Sequence, residues 1–355
     1  MSKITHYLIL LSAIAGTIYA VSIAQSFIVP IIWSIIIWYF IITLSTEIYK
    51  ISWFKKIFPF WVSSCISIGI FIFLFMLIGD LIESSINDVI KALPNYQDRL
   101  LIVIQSVSFQ FGIEEPKSLE SIIKSINLTP LFSSFGNIFK SGIGSLGIIL
   151  IYVLFLLLEY HTFEKKLQYI IPNKKKREKV LDFFHIITRE LKTYLKIKSI
   201  SSCATGGVSF IVLSSIGVDF ASFWALFIFL LNYIPTVGSI IAVTFPIVVS
   251  LVQFDGFGYF GLTAVLLIAV QIIIGNILEP RFMGKSLNLS PFVIILSLSI
   301  WGKILGLTGM FLCVPIMVVL NLILSNFEST RPIAIILSAN GKIIEKKKKN
   351  YKLKN

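Results

Sequence analysis

The chain has 355 residues, of which 56% are hydrophobic and only 14% charged, against about 25% charged in an ordinary soluble domain. That balance excludes a water-soluble globular protein, and Cys65, Cys203 and Cys313 lie in apolar runs without a CxxC pair, which argues against a disulfide framework or a metal site. The net charge of +13 would suit nucleic acid by magnitude, but the Lys and Arg residues gather in segments that flank apolar runs. That is the positive-inside pattern of a membrane protein, and no nucleic-acid partner is expected.

Four runs of membrane length occupy the first half, at residues 7–24, 27–44, 60–82 and 143–158, each approaching or matching the ~20 residues that a bilayer core of about 30 Å requires. Ser22-Ile23-Ala24 has the small-x-small form of a signal cleavage site, but a second apolar run begins at Phe27, so a retained hairpin accounts for both. Residues 45–59, with Lys50, Lys55 and Lys56, and residues 160–198, with basic residues from Lys165 to Lys198, are predicted to be cytoplasmic. The segment between spans three and four is predicted to face outward. Its apolar residues Ile86, Val89 and Leu93, then Leu119, Ile122 and Ile126, recur at helical spacing, which predicts short amphipathic helices broken at Pro94, Pro116 and Pro130. Val180, Phe184, Ile187, Leu191 and Leu195 repeat in the same way. They predict a helix that lies either along the membrane surface with its lysines toward headgroups or against the bundle.

In the second half, residues 199–216, 257–277 and 304–324 read as full spans, and the tail with Arg331, Lys342 and Lys346 to Lys349 as cytoplasmic. An even number of crossings must then separate Lys198 from Arg331, so one of residues 220–252 and 287–301 crosses while the other enters and returns. Residues 220–252 would make a straight helix about 50 Å long, and they are interrupted at Asn232-Tyr233-Ile234-Pro235-Thr236-Val237-Gly238. Proline removes a donor and glycine permits unusual dihedrals, so a break there must be buried in protein or line a wet cavity. A re-entrant hairpin turning near Pro235 keeps Arg281 and Lys285 inside. The alternative is a broken span with residues 287–301 re-entrant. The expected fold is an all-α polytopic integral membrane protein with about eight transmembrane helices and one re-entrant or broken helical hairpin. Its expected regions are 1–82 (three spans), 83–142 (extracytoplasmic insert), 143–159 (fourth span), 160–198 (basic linker), 199–326 (transport core) and 327–355 (basic tail).

Asn232, Pro235 and Gly238 are substrate or ion pathway candidates, because a mid-membrane break exposes helix ends and carbonyls that hold ions and polar solutes. Gln271, Asn276, Glu279 and Arg281 join them, since charges in or at the edge of a membrane are costly and mark function by default. The plain alternatives are a proline-kinked span for the first group and an interfacial ion pair of Glu279 with Arg281 for the second. Gly302, Gly306 and Gly309 repeat at helical spacing and read as close packing. Pro280, Gly284, Pro291 and Pro315 complete the candidate structural positions. GxxxxGK, HExxH and GxSxG are all missing, and Gly142 to Gly147 matches a dinucleotide pattern only in letters, with no strand before it. No enzyme activity, catalytic residue, metal or cofactor is expected.

The second half resembles the autoinducer-2 exporter family over about residues 199–326, in the motif Asn232 to Gly238, in Asn276-Ile277-Leu278-Glu279-Pro280-Arg281-Phe282-Met283-Gly284-Lys285-Ser286-Leu287-Asn288-Leu289-Ser290-Pro291, and in Trp301-Gly302, Gly306 to Met310 and Pro315. Ser239 stands where family members often carry proline. The resemblance implies a bacterial cytoplasmic (inner) membrane transporter, with export of small signalling molecules in some members, sodium/proton antiport in others, and homo-oligomeric assembly. The expected function is therefore a gradient-driven secondary transporter, an exporter of a small polar or signalling molecule of the autoinducer-2 type, coupled to protons or sodium, with both termini cytoplasmic and the lipid bilayer as its solvent. An oligomeric channel and a non-transporting envelope scaffold are the alternatives.

Overall fold

The computed structural model describes residues 12, 16, 19–111, 129–160, 162–254, 257–283 and 288–341. Most of the first expected span, the insert around Pro116, Leu119, Ile122 and Ile126, the pair Gly284 and Lys285, and the basic tail from Lys342 lie outside the described residues. Every regular element among the described residues is helical, and five helices are long and apolar enough to cross a membrane, with shorter apolar helices beside them. The chain is an all-α polytopic membrane protein. Its burial pattern agrees: Phe27, Phe73 and Val265 are exposed, while the small hydroxyl residues Ser34, Ser63 and Ser67 are fully buried, since small side chains let helix backbones approach in lipid.

The described residues fall into two compact units, each drawn from several stretches of chain. The first takes in Met1–Pro172, Phe210–Phe227 and Thr244–Leu266. In it α1 (Gln25–Tyr49), α3 (Phe60–Phe111) and α4 (Thr129–Tyr160) pack together, with the short α2 (Ser52–Ile57) between α1 and α3 and α5 (Phe163–Ile170) after α4. Ile37 and Ile41 of α1 meet Ile149 and Val153 of α4, flanked by Ile68 and Phe71 of α3. A buried Ser45 to Ser67 hydrogen bond of 3.0 Å ties α1 to α3.

Helix α3 runs unbroken through Pro94, so the expected break there is corrected. Contacts on both sides override the local cost of a missing N–H. Val89 and Leu93 are buried before the proline, and after it Tyr96 donates to Asp219 at 2.8 Å and Arg99 to the carbonyl of Gln253 at 3.0 Å. Pro130, by contrast, is the second residue of α4, where its missing donor has no helical partner to lose.

Helix α6 (Lys174–Ile216) is continuous across residue 198, so the amphipathic linker and the following span form one helix. Lys, Glu and Leu favour helix throughout that junction, and no proline interrupts it. The next two helices, α7 (Ala221–Leu231) and α8 (Val237–Gln253), form a hairpin. Trp224 stacks on Phe245 with centroids 5.9 Å apart, and at the open end Gln253 Nε2 donates to the Gly217 carbonyl at 2.8 Å and to Asp219 at 3.1 Å. The open end belongs to the first unit and the turn to the second.

The second unit comprises Asn173–Ser209, Ile228–Val243 and Leu267–Asn355. It receives the end of α9 (Phe257–Val270), a π-helical segment over Gln271–Leu278, and α10 (Glu279–Met283). After it come α11 (Pro291–Asn326) and α12 (Arg331–Leu337). Drawn straight, the 36 residues of α11 would extend about 54 Å. Yet Ser290 N–H, just before α11, donates to the carbonyl of Leu337 at 3.0 Å, and Ala339 N–H to that of Asn288 at 3.2 Å. The chain from Asn326 to Leu337, mostly helical, reaches only about 25 Å. Helix α11 must therefore fold back, and it does so at Gly306, whose φ of 62° and ψ of −143° are non-helical. The helical spacing of Gly302, Gly306 and Gly309 along one span is thus corrected. They make a tip between two arms, residues 291–305 and 307–326.

Candidate functional site

Within the second unit a line of polar side chains runs along one face of α6. Tyr194, Lys198, Ser201, Ser202 and Thr205 follow each other at spacings of three, four or one, which places them on one side of a helix. All five are buried. A segment otherwise rich in Val, Ile and Leu has no reason to bury hydroxyls and an ammonium unless other elements supply partners.

One partner is Glu279. Its Oε1 accepts from Lys198 Nζ at 2.7 Å and its Oε2 from the Ser201 hydroxyl at 2.7 Å, with only 7% of the Lys198 side chain and 12% of the Glu279 side chain exposed. Arg281, the expected partner, is exposed and forms no ion pair among the described residues. The cause lies in the backbone before it. The π-helical segment widens each turn, so residues 271–278 present different faces than an α-helix would, and π-segments recur at functional positions. Asn276, on the same segment, is exposed and stands apart from the cluster.

The other partner is the turn of the α7–α8 hairpin. Asn232 is 1% exposed; its Nδ2 donates to Ser202 at 3.0 Å, and its Oδ1 accepts from Ser239 at 3.2 Å. Gln271 Nε2 approaches the same oxygen at 3.5 Å, the outer limit of a bond, and Gln271 Oε1 is buried with no donor among the described residues. Tyr233 donates to Ser199 at 2.8 Å and stacks on Phe311 of α11, centroids 4.5 Å apart. Pro235 and Thr236 close the turn: Val237 N–H reaches the Pro235 carbonyl at 2.5 Å, with Thr236 at φ 58° between them. That is a γ-turn of the strained, positive-φ kind. Gly238 follows because a Cβ there would strike the Leu231 carbonyl and lie 2.7 Å from Ile234 Cβ.

The structure brings together Asn232, Pro235, Gly238, Gln271 and Glu279, and leaves Asn276 and Arg281 at the surface. Pro280 is exposed in α10, Pro291 opens α11, Gly302 and Gly309 flank the Gly306 turn, and Pro315 is buried in the second arm. Gly284 lies outside the described residues. Sequence reasoning missed Lys198, Ser201, Ser202 and Tyr194. Lys198 was absorbed into a basic cytoplasmic loop by its neighbours Lys192 and Lys196; the spacing of Lys198, Ser201, Ser202 and Thr205 was the available signal. Chemically, the cluster offers a carboxylate, an ammonium, several hydroxyls and two amides, a set that holds ions and hydroxylated solutes by hydrogen bonds.

A model of the AI-2E family transporter matches residues 8–329. The protein named "AI-2 transport protein TqsA" in Escherichia coli is 31% identical over 271 residues, 72% of this chain and 74% of the relative. A protein named "Putative transport protein" in Haemophilus influenzae is 30% identical over 340 residues, 92% of this chain and 94% of the relative. Another with that name in Borreliella burgdorferi is 32% identical over 265 residues, 72% and 70% of the two chains.

Proposed function

The chain belongs to the AI-2E transporter family, a role in membrane transport follows from that membership, and we propose that it is a gradient-driven secondary transporter exporting a small polar molecule of the autoinducer-2 type. The Glu279–Lys198–Ser201 group beside the Asn232 turn carries this reading. A buried carboxylate and ammonium in a membrane segment are expensive, and transporters use such groups, with broken helices, to bind a solute or coupling ion and release it on the other side. The substrate class takes its support from the name of the E. coli relative. Protons or sodium supply the energy in this reading. The core is residues 199–326 with Lys198 added, and the protein works as a homo-oligomer in the bacterial cytoplasmic membrane, with both termini in the cytoplasm, a reading supported by the basic segments through the positive-inside rule.

Glu279→Gln keeps shape and removes charge. In proteoliposomes loaded with autoinducer-2 under an imposed proton or sodium gradient, wild-type protein is expected to accelerate efflux and Glu279→Gln to abolish its dependence on the gradient, with insertion and oligomer size unchanged. Wild-type gradient dependence in Glu279→Gln would remove the carboxylate from the coupling role.

A further inference from the structure

Lys198 stands where the basic part of α6 gives way to its apolar part. A lysine at such a position ordinarily extends its stem along the helix and keeps the ammonium in water. Here the side chain turns inward and is 7% exposed, and Glu279 Oε1 is its hydrogen-bond partner among the described residues. A buried pair of this kind gains little net stability, because desolvation offsets the attraction, so its retention calls for another reason.

The surroundings of the carboxylate supply one. With the ammonium set aside, Glu279 offers two oxygens and a neighbouring Ser201 hydroxyl, hard donors carrying one net negative charge. Divalent ions ask for more: calcium for six to eight oxygens, and magnesium for a near-ideal octahedral shell that keeps several waters. No group of three or more His, Cys, Asp or Glu able to hold a metal occurs among the described residues. The donor set therefore matches a small monovalent cation, and the ammonium now sits against one of its oxygens. Tyr194 and Cys313, which lie within electrostatic reach of the pair, carry a phenol and a thiol, neither of which supplies a cation, and Arg281 is exposed and forms no ion pair among the described residues. The π-segment ends at Leu278, directly before Glu279, so a return of residues 271–278 to α-geometry would rotate the carboxylate away from α6 and part the two charges.

We infer that Lys198 is a tethered counter-cation occupying the cation site of Glu279, so that a free monovalent cation binds at Glu279 and Ser201 only when Lys198 leaves. This rests on the transporter reading, because it describes how that site exchanges its coupling ion.

The test uses the wild-type, full-length protein in lipid nanodiscs at fixed pH. An amine-reactive reagent is applied across a sodium chloride series, with choline chloride holding ionic strength constant, and modification of Lys198 is read by peptide mass spectrometry. Labelling of Lys198 is expected to rise at least fivefold toward saturating sodium, and to lose its sodium dependence in Glu279→Gln. Calorimetric sodium titration of Lys198→Met is expected to show at least tenfold tighter binding than wild type. Flat Lys198 labelling over the whole series overturns the inference, and so does equal sodium affinity in Lys198→Met; if that variant fails to assemble, the wild-type labelling alone decides. Substrate flux from the same preparation separates the two ideas. Flat labelling with intact flux removes the tethered cation and leaves transport standing, whereas sodium-dependent labelling without flux upholds the exchange and removes the transporter reading.

Discussion

The α7–α8 hairpin and the hairpin within α11 turn the chain by one steric device and differ in what they carry at the tip. In each, a residue with positive φ makes the reversal, Thr236 at 58° and Gly306 at 62°. In each, a glycine shortly after it faces the last carbonyls of the opposite arm: a Cβ on Gly238 would strike the Leu231 carbonyl, and one on Gly309 the Trp301 carbonyl. The first tip then presents Asn232 and Tyr233 to the hydroxyls of α6. The second contributes Phe311 as an apolar face for Tyr233. Backbone freed from helical bonding inside a membrane must find partners or line a cavity. The turn geometry alone therefore does not make a candidate site; the amide and hydroxyl groups of the first tip distinguish it, and the second tip offers it an apolar wall.

The largest expected effect breaks the shared device. Gly309→Ala and Gly238→Ala place a methyl group against backbone that cannot move without opening the hairpin, and each is expected to destabilise the protein by about 3 kcal/mol, the upper end for overpacking. Gly302→Ala is the internal control, because its Cβ would meet Met310 at 3.0 Å, a flexible side chain that can swing aside. Thermal unfolding in detergent micelles checks the order. A Gly309→Ala protein as stable as Gly302→Ala would show that the arms of α11 do not approach as described.

The same pair of hairpins shows how much could be read in advance. The first announced itself through Asn232, Pro235 and Gly238, three residue types that each disfavour continued helix, clustered within a long apolar run. The second did not, because Gly302, Gly306 and Gly309 fall at intervals that suit a helix face equally well. Contacts distant in sequence, the hydrogen bonds from Ser290 to Leu337 and from Ala339 to Asn288, require the reversal. Membrane class and most spans were legible because lipid demands long apolar runs. Glu279 was legible as a costly charge, but its partner was not. Arg281 is near in sequence, whereas Lys198 reaches it through tertiary structure and a π-segment that no periodicity announced. Pro94 failed as a break for the converse reason, since long-range contacts of Tyr96 and Arg99 hold the helix through it.

A smaller change, of opposite sign, sharpens the comparison by giving the first turn the residue type of the second. Thr236 is β-branched, exposed, and held at φ 58°, a conformation that costs an ordinary residue roughly 1–2 kcal/mol and glycine almost nothing. Glycine gives back part of that through the greater freedom of its unfolded chain, roughly 0.5–1 kcal/mol. Thr236→Gly is therefore expected to stabilise by about 0.5–1 kcal/mol, read as a higher unfolding temperature. A lower one would mean that the turn does not hold Thr236 at positive φ.

The smallest expected effect lies where the two tips meet. Tyr233 ties the first tip to α6 by its hydroxyl, at 2.8 Å from Ser199, and to the second tip by its ring, at 4.5 Å and 18° between planes from Phe311. Tyr233→Phe removes the first contact and keeps the second. Hydrogen bonds between membrane helices contribute about 0.6 kcal/mol on average, because the separated helices find other partners, so the variant is expected to unfold only about 1–2 °C lower. Ser199→Ala should lose a similar amount, and the double variant should lose no more than either single one, since both remove the same bond. Phe311→Ala in the Tyr233→Phe background should still cost more than either, because it strips the stacked face from the ring. If the two hydroxyl variants instead add in full, Tyr233 and Ser199 act separately, and the hydroxyl does not tie the first tip to α6.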